Sequence, residues 1–284
     1  MEKICWANTD NFDDAEFVIV GIPDESQSHA LRKGTEEAPF KIRQISNLRD
    51  SFERWSGIIM MEVHSATKEE LLNVIENEAK IRIDSFVEGA IELAEELHSG
   101  VKREDGKSSF LETHVWPVTI DVIRHYKKTD KLLTTLQIVS SILHDVLEDN
   151  EKILDVYASK AYGFDAYFQH RCGDYVYNIA MTLKTKPLDN YPGENDEEKQ
   201  TARFFEYCTD LTKADYDVKI IKLADRLNNM RFIAQIPEQE KIKRYLREAE
   251  DFYIAFSIFP PTVSEFYNKM RQAYDELKLI KVTV

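Results

Sequence analysis

Apolar residues recur every three or four positions along most of the chain from residue 66 onward. That spacing places them on one face of an α-helix. The first helix is predicted to begin at Thr67, because Thr67 and Glu70 form the pattern of a capping box. Further helices are predicted at 81–97, 115–128, 132–149, 151–159, 164–185, 196–210, 213–235, 238–259 and 261–279. The sequence therefore predicts a mainly α domain over residues 66–284.

The first 65 residues follow a different pattern. Residues 16–22 form a β-branched run that ends at Pro23, which predicts a short buried strand. Helical spacing over 39–55 and a second apolar run at 58–63 complete a strand, loop, helix and strand. We therefore expect residues 1–65 to form a small α/β segment ahead of the helical domain.

Composition excludes several classes of protein. The formal net charge of -14 argues against a nucleic-acid partner, because such proteins present a basic face. The three cysteines have no CxxC spacing, which favours a reducing compartment over a disulfide framework. No run approaches the roughly 20 apolar residues of a membrane helix, and the first residues lack the apolar core of a signal peptide. We expect a soluble, cytoplasmic protein that does not bind membranes.

The segment 141–150 crowds polar groups onto one arc of the predicted helix. They are His144, Asp145, Glu148 and Asp149, interleaved with apolar residues. Burying them beside an apolar stripe is costly unless their charge is neutralised, and a divalent cation does so directly. The alternative is a solvated acidic helix end, although acidic residues at a helix C-terminus oppose the macrodipole.

Two further segments carry polar residues in an apolar setting. The run 220–231 is apolar on most faces, yet it has Asp225, Asn228 and Asn229 at i, i+3 and i+4, and such a polar face usually points at a site. His114 follows a polar loop at the start of another predicted helix.

These motifs resemble a known family. The chain carries His114, then His144-Asp145, then Asp225, in that order. Residues 143–150 are similar to "LLHDVxEDT", and residues 222–231 are similar to "KLADRLHNMR". In this order the motifs resemble those of the HD-domain phosphohydrolases. The closest branch is the RelA/SpoT-type alarmone (ppGpp) hydrolases of the stringent response, including the small stand-alone ones. The resemblance covers about residues 82–260.

The resemblance implies a helical HD domain with one Mn²⁺, or another divalent ion, held by four side chains. These are His114, His144, Asp145 and Asp225. Mixed nitrogen and oxygen ligation suits several borderline metals. The resemblance also assigns Glu148 and Asp149 to positioning and activating the attacking water, and a carboxylate near a metal can take its proton.

The same resemblance implies substrate contacts for Arg103, Asn229 and Arg231, with Arg103 stacking on guanine and the other two meeting ribose or phosphates. Asn228 stands where the family has His, and Glu104 stands where it has a phosphate-binding Lys. A carboxylate at position 104 would repel a polyphosphate, and Lys102 or Lys107 could substitute.

The beginning of the chain also resembles a family. Residues 17–24, 32–34 and 38–43 are similar to the opening of arginase/agmatinase-type ureohydrolases. That family's manganese motifs, of the GGDH and DAHxD kind, are absent from the chain, so we infer no ureohydrolase activity. An ordinary strand, loop and helix accounts for this likeness equally well.

Three functions follow as hypotheses. The first is a metal-dependent phosphohydrolase of a nucleotide, specifically a guanosine 3′,5′-bis(diphosphate) 3′-pyrophosphohydrolase. The second is an HD phosphatase or phosphodiesterase of another nucleotide, which Glu104 favours. The third is a non-catalytic HD scaffold. Residues 1–65 are expected to dock a partner protein or to join copies of the chain in a homo-oligomer.

Overall fold

The computed structural model describes residues 65–129, 131–149, 163–236, 238–258 and 264–283. The strands predicted at 16–22 and 58–63, and the helices predicted at 39–55 and 151–159, lie outside these residues. The boundary between the α/β segment and the helical domain therefore stays a prediction. In the described residues the prediction of a mainly α fold is confirmed: no strand is present, and the only β-type pairing is an isolated bridge between Lys102 and Ser109.

The described helices follow the predicted order, and most of their ends agree with prediction to within one turn. They are α1 (Lys68–Asn73), α2 (Ser85–His98), α3 (Trp116–Lys127), α4 (Thr135–Ile142), α5 (Val146–Asp149), α6 (Phe164–Leu183), α7 (Asp196–Lys213), α8 (Tyr216–Ile233), α9 (Gln239–Glu248), α10 (Ile254–Phe256) and α11 (Ser264–Thr283). Short π-helical turns are found at Val74–Glu78, Leu111–Val115 and Ala249–Tyr253, and a 3₁₀ turn at Leu188–Asn190. None of the described helices combines the length and apolar character that crossing a membrane requires.

Side-chain caps explain where several helices begin. The capping box predicted at Thr67 is confirmed: Thr67 Oγ1 accepts from the Glu70 backbone N–H at 3.2 Å, and Glu70 Oε2 accepts from the Thr67 N–H at 3.0 Å. Thr134 and Gln137 form a second capping box at the start of α4. These contacts satisfy backbone donors that a helix leaves without partners in its first turn.

Helix α3 lies between two apolar cores. Ile120 and Ile123 belong to the core that α1, α2, α4 and α6 share, whereas Val118 and Val122 belong to the core shared with α8, α9 and α11. Pro117 falls in the first turn of α3, as predicted, where a missing N–H costs nothing. Residues at the start of α3 are therefore held from both sides.

The prediction of one continuous helix over 132–149 was wrong. Helix α4 ends at Ile142, residues 143–145 form a turn, and α5 begins at Val146. The apolar pattern continues through the turn, so periodicity carried no sign of the break. The turn is closed by shorter-range hydrogen bonds, from Val146 N to the Leu143 carbonyl at 3.3 Å and from Glu148 N to the Asp145 carbonyl at 3.0 Å. It carries both members of the His144-Asp145 pair.

Helix α6 is also interrupted, at Gly173, within the range predicted as one helix. Gly173 has φ +82° and ψ 163°, a conformation that only glycine adopts without strain. A Cβ atom at this position would meet no neighbouring atom within 4 Å. The residue type is therefore set by backbone conformation rather than by space.

Candidate metal centre

The structure brings together the four side chains that the sequence indicated as metal ligands. One nitrogen or oxygen atom from each of His114, His144, Asp145 and Asp225 lies within 4.8 Å of the other three. His114 comes from the π-helical turn before α3, the His144-Asp145 pair from the turn between α4 and α5, and Asp225 from α8. His114, His144 and Asp225 are each only 2–3% exposed, so the cluster lies inside the bundle.

The orientation of the His114 ring is set by Asn228. The Asn228 amide nitrogen donates to the Thr113 carbonyl at 3.0 Å, which turns the Asn228 oxygen toward His114 Nδ1, 2.8 Å away. Since that oxygen can only accept, Nδ1 carries a proton, and in the neutral ring this leaves the lone pair on Nε2. His114 Nε2 then faces Asp145 Oδ2 at 2.8 Å and Asp225 Oδ1 at 3.5 Å.

His144 is held in the same tautomer by the helix end. Its Nδ1 donates to the Ser141 carbonyl at 2.8 Å, so in the neutral ring the lone pair is on Nε2. That Nε2 lies 3.1 Å from Asp145 Oδ2, and among the described residues it has no hydrogen-bond partner. A buried polar atom without a partner is unusual in a folded protein and points to a group that belongs there.

The cluster requires positive charge. Two imidazole lone pairs and two carboxylates face one another in a space from which water is largely excluded, so they repel unless a cation or protons lie between them. In the metal-free chain, bound protons supply this positive charge. Burial alone lowers the pKa of His144, but the carboxylates of Asp145 and Asp225 outweigh burial and raise it to about 9. A divalent ion would take the place of those protons, and the donor set of two nitrogens and two oxygens fits one.

The two oxygens of Asp225 have separate partners. Oδ2 forms an ion pair with Lys222 Nζ at 2.7 Å, while Oδ1 accepts from the Asn229 amide at 2.6 Å and faces His114. Burial alone would lower the pKa of Lys222, but Asp225 together with neighbouring groups outweighs burial and raises that pKa well above its usual value. One oxygen of Asp225 is therefore neutralised by Lys222, and the other is aimed into the cluster.

Glu148 lies at the edge of the cluster, and its carboxylate accepts from the Thr185 hydroxyl at 2.5 Å. The side chain is exposed, yet the protein atoms around its carboxyl group desolvate it and raise its pKa. The charges of Asp145 and Asp225 act in the same direction, against Lys222 and Thr185. Asp149 is the last residue of α5, and its role in activating water stays a prediction.

Arg103, predicted to stack on guanine, is engaged with α8. Its Nη1 donates to the Asn228 amide oxygen at 3.2 Å and its Nη2 to the Asn229 amide oxygen at 2.9 Å. The centre of the guanidinium lies 4.0 Å from the centre of the Phe232 ring. Asn229, also predicted to contact substrate, thus joins Arg103 to Asp225.

Two other positions singled out for substrate recognition have protein partners as well. Arg231 faces Asp121 on α3, with 3.6 Å between Nη1 and Oδ2. Glu104, the departure from the family pattern, forms an ion pair with Lys241 on α9. Because Lys241 neutralises it, Glu104 does not present an unpaired negative charge.

Sequence reasoning missed the contributions of several residues. Asn228 was predicted to lie on the polar face of the run 220–231, but its role in fixing the His114 ring was not. The contacts of Thr185 with Glu148 and of Lys241 with Glu104 were also missed. Each joins residues far apart in the sequence, and no local pattern indicates them. The ion pair of Lys222 was not predicted, although its spacing of three residues before Asp225 on a helix was the available signal.

No protein-family model matches the chain, and no curated protein matches it. The chain is similar to a solved structure described as a metazoan ortholog of SpoT that hydrolyzes ppGpp and plays a role in starvation responses, with 17% sequence identity and a TM-score of 0.52. The match covers 69% of this chain and 97% of that chain. At this identity the likeness shows the fold. Fold and site together define a helical bundle of the HD type with a group of His and Asp side chains that could hold a metal ion.

Proposed function

We propose that the protein is a metal-dependent phosphohydrolase of a nucleotide, and specifically that it removes the 3′-diphosphate of ppGpp. The observation that carries the proposal is the buried cluster of His114, His144, Asp145 and Asp225, whose mutual repulsion a divalent ion relieves. The fold of a structure described as hydrolysing ppGpp supports the choice of substrate. Mn²⁺ is our first choice among the borderline ions that the ligand set suits.

The chemistry divides between the cation and the side chains at its edge. His114, His144, Asp145 and Asp225 would hold the ion, which supplies Lewis acidity toward a phosphoryl group. Glu148 accepts a proton from the attacking water, and its raised pKa makes it a better base at neutral pH than an ordinary carboxylate. Thr185 fixes the direction of that carboxylate. Asp149 assists in orienting the water.

Two ion pairs reduce the negative charge that an anionic substrate would meet. The net charge of -14 disfavours an anionic substrate at long range. At short range, however, Lys222 is paired with Asp225 and Lys241 with Glu104. The pairing of Glu104 removes the repulsion that the sequence alone indicated, which supports a phosphorylated substrate.

The test is hydrolysis of ppGpp by the purified full-length protein with Mn²⁺. We expect pyrophosphate as product, at a rate far above that of the Asp225→Ala variant assayed in parallel. No pyrophosphate above that background would refute the ppGpp assignment.

The alternative is an HD phosphatase or phosphodiesterase of another nucleotide. Glu104 favours it, because the Lys through which the family binds phosphate is absent at this position, even though Lys241 neutralises the carboxylate. A panel of nucleotides separates the two functions, because a phosphatase releases inorganic phosphate and the proposed activity releases pyrophosphate. Turnover of another nucleotide, with loss of turnover in Asp225→Ala, would support the alternative.

A further inference from the structure

Arg103 contacts two side chains that each hold a member of the metal cluster. Asn228, which accepts from Arg103 at 3.2 Å, also accepts from His114 Nδ1 at 2.8 Å. Asn229, which accepts from Arg103 at 2.9 Å, donates to Asp225 Oδ1 at 2.6 Å. The two amino groups of one guanidinium thus donate to the two carboxamides that orient His114 and Asp225.

The geometry fixes both carboxamides. Asn228 must direct its nitrogen to the Thr113 carbonyl, and Asn229 must direct its nitrogen to Asp225, so both oxygens have to face a donor. A planar guanidinium with two parallel N–H groups fits that pair of oxygens, whereas a Lys ammonium is a single point of charge. The Phe232 ring, 4.0 Å from the guanidinium centre, supports the plane of the group.

We infer that Arg103 is a positioning residue for the metal ligands, holding His114 through Asn228 and Asp225 through Asn229. The inference rests on the metal site of the proposed function, but it does not depend on the substrate. Residues that orient metal ligands from outside typically change metal affinity by about 10–100-fold when they are replaced.

A substrate contact at Arg103 makes a different prediction. If Arg103 only stacked on a base, its replacement would raise KM and leave the affinity of the substrate-free protein for metal unchanged. A positioning role lowers that affinity in the absence of any nucleotide. The charge of Arg103 has the opposite effect, since a guanidinium near the cluster repels a divalent cation. Arg103→Lys therefore gives the cleaner test, because it keeps the charge and removes the paired donors.

The experiment is a titration of the full-length, metal-free protein with Mn²⁺, followed by the electron paramagnetic resonance signal of the free ion. Arg124→Lys is the matched control. Arg124 on α3 also makes two hydrogen bonds, at 3.3 and 2.9 Å, but both go to Glu78 and neither reaches the cluster. We expect Arg103→Lys to weaken Mn²⁺ binding about tenfold or more and Arg124→Lys to leave it unchanged.

A double-mutant cycle with Asn229→Ala tests the path of the effect. If Arg103 acts through Asn229, the loss of affinity in the double variant is smaller than the product of the two single losses. Should Arg103→Lys fail to show the circular dichroism of the wild-type protein, Asn229→Ala alone tests the Asp225 arm, with weaker Mn²⁺ binding as the expected result.

The outcomes separate this inference from the proposed function. Wild-type affinity for Mn²⁺ in a folded Arg103→Lys or Asn229→Ala variant would overturn the positioning role and leave the hydrolase proposal standing. A wild-type protein that bound no divalent ion would overturn both. Weaker Mn²⁺ binding together with a raised KM would support the positioning role and add a substrate contact to it.

Discussion

Acidification from pH 7 to pH 5 is expected to destabilise the fold through His98. This residue ends α2, is 3% exposed, and lies with its ring centre 4.8 Å from that of Phe110, which in turn lies 4.9 Å from His114. Burial lowers the pKa of His98 from its usual 6.5 to about 4, against the opposing charge of Asp145. The native state therefore holds His98 neutral at a pH where the unfolded chain takes up a proton.

The direction and size of the change in the free energy of unfolding follow from that difference in proton uptake. Because the folded pKa is depressed, the stabilisation is complete above pH 6.5 and is lost as the pH falls toward 4. With an unfolded pKa of 6.5 and a folded pKa of about 4, the free energy of unfolding decreases by about 2 kcal/mol between pH 7 and pH 5. A cation in the nearby cluster would lower the pKa of His98 further and would not reverse the sign.

Urea denaturation of the metal-free protein at pH 7 and pH 5 measures this loss, and His98→Gln isolates it. Other groups in the cluster titrate with the opposite sign, since the pKa of His144 is raised, but their contribution is common to both proteins. We expect the wild-type protein to lose about 2 kcal/mol more than His98→Gln over this interval. Equal losses in the two proteins would refute a neutral buried His98.

Three further predictions follow from the site and the fold. Glu148→Gln should reduce turnover about 10²–10⁴-fold with unchanged Mn²⁺ affinity, and turnover that survives this change would contradict the role of Glu148 as base. Thr185→Val removes a hydrogen bond that lowers the pKa of Glu148. It should therefore move the acidic limb of the pH–rate profile to higher pH. Asp225→Ala should abolish Mn²⁺ binding and destabilise the metal-free fold by roughly 3 kcal/mol, because the largely buried Lys222 loses its carboxylate; calorimetric titration and urea unfolding check both effects. Gly173→Ala should cost about 1–3 kcal/mol in unfolding experiments because of its backbone conformation, and Mn²⁺ affinity, which should not change, serves as its control.

Local patterns predicted the helical fold well, because helices are stabilised by contacts between residues close in sequence. The capping box at Thr67, the position of Pro117 and most helix ends follow from such contacts. The break before Val146 does not, since the apolar spacing continues through it. Apolar periodicity indicates which face of a helix is buried and does not mark where the helix ends.

The candidate site divides in the same way. The adjacency of His144 and Asp145 and the polar face around Asp225 were visible in the sequence, but their convergence with His114 followed only from family resemblance. The role of Asn228 required knowing that α8 passes beside the turn carrying Thr113 and His114. Contacts that join residues more than a hundred positions apart leave no periodic signal.

The break between α4 and α5, together with Asn228, explains how the two imidazoles are oriented. In an uninterrupted helix the Ser141 carbonyl would accept from the Asp145 backbone N–H, but the turn after α4 leaves it to accept from His144 Nδ1. Asn228 serves His114 in the same way. Both imidazoles are thus oriented by neutral acceptors, so neither carboxylate is consumed in holding a ring proton on Nδ1. Asp145 keeps an oxygen directed at the Nε2 atoms of both rings, and Asp225 keeps one directed at Nε2 of His114. Side chains that repel one another alone are thus arranged so that they could hold a cation.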